Sequence, residues 1–220
     1  LHNNRHSFPT RRSSDLVSFA PDYSITGESY GALPTPYVVQ RTGAENRKNI
    51  ALTFDDGPDP NCTPQILSVL ERKHVPATFF IIGENALEHP EIVRRIERDG
   101  DEIGNHSYTH PNLAEVSPLG AMLELNATQR LIEAYTGHST RLFRAPYFGD
   151  AEPTTADELG PAAQAQAKGY TIVGLHVDPG DWRTPGVKNI VDQTLKQVHA
   201  ASSIRSAMAR LLRRAAPRLQ

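Results

Sequence analysis

The sequence predicts an α/β fold with a parallel sheet or barrel, and three observations carry that prediction. Short apolar, β-branched stretches alternate with stretches of helical period along most of the chain. Such alternation gives parallel strands joined by helical crossovers. The motifs with chemical content each follow the end of a predicted strand, where parallel barrels keep their sites. At 220 residues the chain suits one domain with a sizeable core.

The elements follow in order. Residues 50–54 read as a buried strand. Residues 63–73 read as a helix, with Ile66, Leu67 and Leu70 on one face, Thr63 as cap and Pro64 in the first turn. Residues 77–82 are a second buried strand, aromatic and β-branched. Residues 90–98 form a helix with Ile92, Val93 and Ile96 on one side. Residues 102–106 are a short third strand. Residues 117–135 are the longest helix, with Met122, Leu125 and Leu131 inward. Residues 142–147 and 170–177 are further strands, 155–168 and 187–198 further helices. Residues 17–48, rich in Gly, Pro, Ser and Tyr, read as a leader on the domain surface.

Bulk properties exclude several function classes. There are 23 basic against 25 acidic residues, so no polyanion partner is indicated and nucleic acid is not expected. The lone Cys62 rules out an internal disulfide and a cysteine-rich zinc site. No apolar run approaches the roughly 18–20 residues of a membrane span, and no signal peptide is recognisable.

Both ends depart from the rest. Residues 7–16 lack helix or strand period and match, codon by codon, a translated sequencing adapter. Residues 1–16 are therefore read as non-native. Beyond Asp192 there is no acidic residue, while Arg205, Arg210, Arg213, Arg214 and Arg218 crowd the tail. Read as biology, this is a basic helix for nucleic acid or acidic membrane. Read plainly, it is GC-rich DNA translated out of frame, and a frameshift near residue 200 is the expectation.

The chemistry concentrates in two motifs. Asp55 and Asp56 follow an apolar strand and precede a Gly-Pro turn, in TFDDGP. Adjacent carboxylates alone could be a turn or a helix cap. Downstream, His106 and His110 stand four residues apart in HSYTH. A surface pair is the bland alternative, but a pair at i and i+4 meets on one face of a helical turn. One Asp with two His is a common ligand set for a catalytic divalent metal. The second Asp is then free to act as a base, which points to metal-assisted hydrolysis. Zinc is the first choice for two nitrogens and one oxygen, and cobalt, nickel or manganese also fit. Asn105 and Ser107 are candidates for supporting the ligands. His74, His89, His138 and His176 read as structural.

With RAPY at 144–147 and DPGDW at 178–182, these motifs make the sequence resemble the polysaccharide deacetylase family. This is the NodB-homology domain of carbohydrate esterase family 4, and residues 49–198 are similar to it. The resemblance implies a distorted (β/α) barrel and metal-dependent removal of acetyl groups from a polysaccharide. It implies Asp56, His106 and His110 as metal ligands and Asp55 as general base. Neighbours on a strand point opposite ways, so one carboxylate can ligate while the other reaches the water. Arg144 would orient Asp55 through its planar fork. The Tyr147 amide would bind the oxyanion, with Pro146 shaping the loop. Trp182 would wall the acetyl or sugar pocket, and Asp181 would contact Arg144 or the general-acid histidine.

One family motif is missing. The resemblance calls for Leu-x-His on a last strand, supplying the acid that protonates the leaving amine. No such triplet follows Val198, and residues 199–220 form an atypical basic tail. The barrel is therefore expected to lack its last strand. The expected function is removal of N-acetyl groups from an N-acetylglucosamine-type polysaccharide. The alternatives are a small amide or imide as substrate, or a catalytically impaired carbohydrate-binding remnant. Residues 142–158 and GLHVDPGDW also resemble deacetylase domains fused to a family 2 glycosyltransferase. That resemblance implies a membrane-anchored or glycosyltransferase portion elsewhere, and an extracytoplasmic or membrane-associated place in a bacterium.

Overall fold

The computed structural model describes residues 16–19, 25–29, 49–147, 156–200 and 206–210. The chain divides into two units, Leu1–Pro36 and Tyr37–Gln220. In the first, β1 (Leu16–Phe19) pairs antiparallel with β2 (Ile25–Ser29). All of the expected non-native segment except Leu16, and most of the expected leader, lie outside the described residues.

The second unit is a six-stranded sheet with every pairing parallel, in the order β7-β6-β5-β4-β3-β8. Its strands are β3 (Asn49–Gly57), β4 (Ala77–Ile81), β5 (Glu102–Asn105), β6 (Leu142–Phe143), β7 (Thr171–Ile172) and β8 (Ser206–Arg210). The helices between them are α1 (Thr63–Lys73), α2 (Gly83–Glu88), α3 (Pro90–Arg98), α4 (Pro118–Thr136) and α5 (Ala156–Ala167), with α6 (Val187–Ala200) before β8. Among the described residues the sheet stays open, with β7 and β8 at its two edges.

Strand alternation separates core from site. Phe54 and its register partner Phe79 turn toward the helices, where their rings stack at 5.0 Å. Ile103 of β5 joins them, with Leu67 of α1 and Val93 and Ile96 of α3. The intervening residues, Thr53, Asp55 and Phe80, face the other way, since side chains alternate along a strand. Gly104 is the register partner of Phe80. A methyl group on Gly104 would come within 2.3 Å of the Phe80 ring. The glycine is there because a large ring needs that space.

Helix ends follow local chemistry, with corrections to the sequence reading. Thr63 does not cap α1: Cys62 is the N-cap residue, and the Thr63 hydroxyl accepts the Asp59 N–H instead. His74 ends the helix in a left-handed conformation. Ser117 caps α4 by accepting the Gly120 N–H, and Gly137 ends that helix with φ 84°. The buried stripe of α4 is Ala121, Leu125, Thr128 and Ile132. Met122 and Leu131 are only half-buried. The short helix α2 had no sequence signal strong enough to register.

Two strands are much shorter than their apolar runs. β6 stops at Phe143 and β7 at Ile172. The next carbonyls, of Val173 and Gly174, accept hydrogen bonds from the Arg144 side chain rather than from a strand neighbour. Pro146 could not extend the ladder in any case, having no N–H. The tail also differs from expectation. β8 stands beside β3 where no strand was expected, with Asn49 opposite Ser206 and Thr53 opposite Arg210. It carries no histidine.

Gly104→Ala tests the steric basis of this sheet. The substitution should destabilise the fold by roughly 1–3 kcal/mol, the range for overpacking a filled core. Urea denaturation of the two proteins measures the difference.

Candidate metal centre

The site begins where β3 stops being regular. The β3–β4 register shifts between Asp55 and Gly57, and Asp56 sits in the bulge with φ 66°. Simple alternation would have sent the two carboxylates to opposite faces. The bulge instead turns both toward His106, which corrects that expectation. Asn85 of α2 holds the bulge by donating to the Asp56 carbonyl at 2.9 Å, and the Ile82 N–H donates to the Gly57 carbonyl at 2.8 Å.

His106 follows β5 and is 1% exposed. Its Nδ1 lies 2.7 Å from the Arg144 carbonyl oxygen. A carbonyl can only accept, so Nδ1 carries the proton and donates. Its other ring nitrogen, Nε2, faces Asp56 Oδ1 at 3.2 Å. His110 Nε2 lies 3.1 Å from the same oxygen. The two imidazoles meet edge to face, 4.9 Å apart. They do so from a loop rather than a helical turn, with Ser107 at φ 68° and His110 at φ 60°. The spacing was informative; the conformation inferred from it was not.

Asp56, His106 and His110 can each offer one atom, all within 4.8 Å of one another. An imidazole nitrogen and a carboxylate oxygen this close need a proton or a cation between them. Metal–donor distances near 2.0–2.2 Å put tetrahedral ligand atoms about 3.4 Å apart. The observed separations of 3.1 and 3.2 Å are close to that edge. The Nδ1–H to carbonyl contact is also the kind that fixes a ligating histidine. The residues therefore fit a divalent metal. Burial pushes the Asp56 carboxyl up, but its contacts with His106 and His110 outweigh that and hold it well below the usual carboxylate range.

Asp55 is held differently. Arg144 is 0% exposed, and its Nη1 donates to Asp55 Oδ1 at 2.6 Å and to Thr53 Oγ1 at 2.9 Å. Its Nε donates to the Val173 carbonyl and its Nη2 to the Gly174 carbonyl. Its guanidinium lies 4.2 Å over the Phe80 ring. One Asp55 oxygen is thus tied to the arginine. The other, Oδ2, points into the site, 4.0 Å from His106 Nε2.

Of the remaining predicted residues, Tyr147 reaches this centre, while Asp181 and Trp182 lie in the segment after β7. Tyr147 is 68% exposed, has φ 68°, and packs its ring edge to face on His110 at 4.9 Å. Pro146 is buried beside it. Asp181 is fully buried at the start of a 3₁₀ turn, Asp181–Arg183, where its Oδ1 accepts the Trp182 N–H. Trp182 is 57% exposed, with the Arg183 guanidinium 4.4 Å over its ring. Both belong to the segment after β7, on the carboxyl side of the sheet. Sequence reasoning missed Thr53, Phe80 and Asn85. Thr53 lies inside TFDDGP, where its role could have been suspected; Phe80 and Asn85 carried no signal.

Comparison with known proteins gives the family. A family model for polysaccharide deacetylases matches residues 42–170. A chitooligosaccharide deacetylase of Bradyrhizobium sp. (strain ANU 289) is 39% identical over 158 residues, covering 71% of this chain and 69% of that protein. Other curated relatives are longer: the chain spans 32% of one and 55% of another. Among solved structures, the Bc1960 peptidoglycan N-acetylglucosamine deacetylase superposes with a TM-score of 0.67 at 34% identity, covering 77% of this chain and 73% of that one. BA3943, a CE4 family pseudoenzyme from Bacillus anthracis, superposes with a TM-score of 0.70 at 26% identity, covering 84% of this chain and 62% of that one. With its paired carboxylates, facing histidines and buried arginine on the fold of these NodB-type enzymes, the chain belongs to the polysaccharide deacetylase family.

Proposed function

We propose that the chain is a metal-dependent deacetylase that hydrolyses N-acetyl groups of an N-acetylglucosamine-type polysaccharide. The observation that carries this reading is one carboxylate oxygen of Asp56 shared between two histidine nitrogens, beside a second carboxylate tied to a buried arginine. Asp56, His106 and His110 would hold the metal, with zinc the first choice and cobalt, nickel or manganese alternatives. When bound, the ion supplies Lewis-acid polarisation of the acetyl carbonyl and lowers the pKa of water.

The chain's own residues do the rest. Asp55 Oδ2 takes the proton of the attacking water as general base, while Arg144 keeps the carboxylate ionised and aimed. The Tyr147 N–H donates to the oxyanion as the carbonyl becomes tetrahedral. Pro146 and Tyr147 shape the acetyl side of the site, and Trp182 offers an exposed aromatic face to the sugar. Asp181 supports this arrangement from the loop after β7. Collapse of the tetrahedral centre breaks the C–N bond as the proton taken by Asp55 passes, by way of solvent, to the leaving nitrogen, and acetate and a free amine result.

The catalytic domain in this reading is residues 49–198. The partner is a glycan, not nucleic acid, and the setting is extracytoplasmic or membrane-associated in a bacterium. The substrate and setting are supported by relatives named for chitooligosaccharide and peptidoglycan. No helix among the described residues is long and apolar enough to cross a membrane. A membrane-anchored or glycosyltransferase portion beyond this chain is part of the same proposal. One observation favours a second reading: β8 brings Ser206 to Arg210, and no histidine, to the edge beside β3. Without an acid for the leaving amine, the chain would bind glycans and turn them over poorly, since such assistance contributes roughly 10²- to 10⁴-fold.

Acetate release from chitin oligosaccharides and from peptidoglycan decides between these readings. The deacetylase reading expects release that stops on chelation and returns with Zn²⁺ or Co²⁺. Glycan binding without release supports the impaired reading; release only from small amides or imides supports the alternative substrate class. Asp55→Asn should lower kcat roughly 10²- to 10⁴-fold while metal content stays at the parent level. Metal analysis beside steady-state kinetics measures both. A comparable loss of metal would make Asp55 a ligand and overturn its role as base.

A further inference from the structure

The loop that carries the two histidines is strained at both ends, with Ser107 and His110 at positive φ. Something must hold it, and its backbone polar groups show what does. The Ser107 N–H donates to Asn105 Oδ1 and the His110 N–H to Ser107 Oγ. The Ser107 and Tyr108 carbonyls accept from the N–H groups of Gly83 and Glu84, at the start of α2. The N–H groups of Tyr108 and Thr109 both donate to Glu124 Oε2, at 2.8 Å each. The Thr109 hydroxyl donates to Glu124 Oε1, also at 2.8 Å.

Glu124 therefore reaches out of α4 and grips the middle of the loop by three hydrogen bonds. It touches neither histidine ring. Gly83 makes the opposing contact close: a Cβ there would come within 2.4 Å of the Tyr108 ring and 2.5 Å of the Thr128 hydroxyl. The loop is thus held between the start of α2 on its carbonyl side and Glu124 on its N–H side. A peptide segment with two left-handed residues has other conformations open to it. In those, His110 Nε2 would leave the position 3.1 Å from Asp56 Oδ1.

We infer that Glu124 is a positioning residue for the metal centre, fixing the His106–His110 loop so that the two imidazoles converge before any ion arrives. This inference rests on the metal reading given above. Its physical content is reach: one carboxylate must span both N–H groups and the hydroxyl. Glutamine keeps that reach and one acceptor oxygen for the two N–H groups. Aspartate keeps the charge but withdraws it by one methylene.

The test is Co²⁺ affinity, by chelator competition, and the visible Co²⁺ spectrum of the full chain and its variants. Glu124→Ala and Glu124→Asp should each weaken Co²⁺ binding about 10- to 100-fold, the usual cost of losing an outer-shell partner, and alter the spectrum. Glu124→Gln should bind close to the parent. Leu125→Ala, a buried neighbour on the same helix, should lower the melting temperature and leave affinity and spectrum intact. If Glu124→Ala does not fold, Glu124→Asp against Glu124→Gln decides the matter. Parent-like affinity and spectrum in the aspartate variant overturn the inference. A parent chain that takes up no Co²⁺ overturns the metal reading and the inference with it.

Discussion

A guanidinium with no exposure is the constraint around which this structure is arranged. Arg144 cannot lose its charge, and leaving it unsatisfied in the interior would cost several kcal/mol. The fold answers with the Asp55 carboxylate, the Thr53 hydroxyl, two backbone carbonyls and the face of Phe80. These partners come from different parts of the sheet. Thr53 and Asp55 come from β3, Phe80 from β4 and the carbonyls from the segment after β7. Gly104 of β5 leaves room for the ring on which the arginine lies. The early ends of β6 and β7 follow from the same demand, because the arginine takes carbonyls that a longer ladder would have used.

This arrangement divides labour between adjacent carboxylates. Asp55 is anchored through one oxygen, so its other oxygen is presented to the site from a fixed direction. Asp56 escapes the arginine because the bulge at φ 66° turns it toward the histidines. Two neighbours of identical chemistry thereby acquire different partners, one a fixed cation and the other a pair of imidazoles. The backbone carbonyl of Arg144 orients His106 as well, so one residue positions both Asp55 and His106.

Much of this is legible in the amino-acid sequence. The apolar runs, Pro64, Pro90 and Ser117 locate the helices because caps and prolines act locally. The clustering of TFDDGP and HSYTH is legible because carboxylates and imidazoles are among the few residue types that can hold a metal. What the sequence hides is set by tertiary partners. The strand lengths depend on Arg144, and the α4 stripe on which face meets the sheet. Asp56 turns toward the histidines through a bulge that no pattern of apolar residues records. The i, i+4 histidines suggest a helical turn, yet the loop's shape comes from Asn105, Ser107 and contacts with α2 and α4. The tail holds a further surprise: five residues with no acidic or aromatic member still pair with β3, since a strand edge recruits backbone rather than side chains.

The division of roles stands or falls on Arg144 keeping Asp55 off the metal while Asp56, His106 and His110 bind it. Anomalous diffraction at the zinc edge, on crystals grown with Zn²⁺, is the decisive experiment. One strong peak is expected at about 2.0–2.2 Å from Asp56 Oδ1, His106 Nε2 and His110 Nε2, with Asp55 still bound to Arg144 and outside ligand distance. A peak that takes Asp55 as a ligand, or that lies away from these three residues, would refute that division.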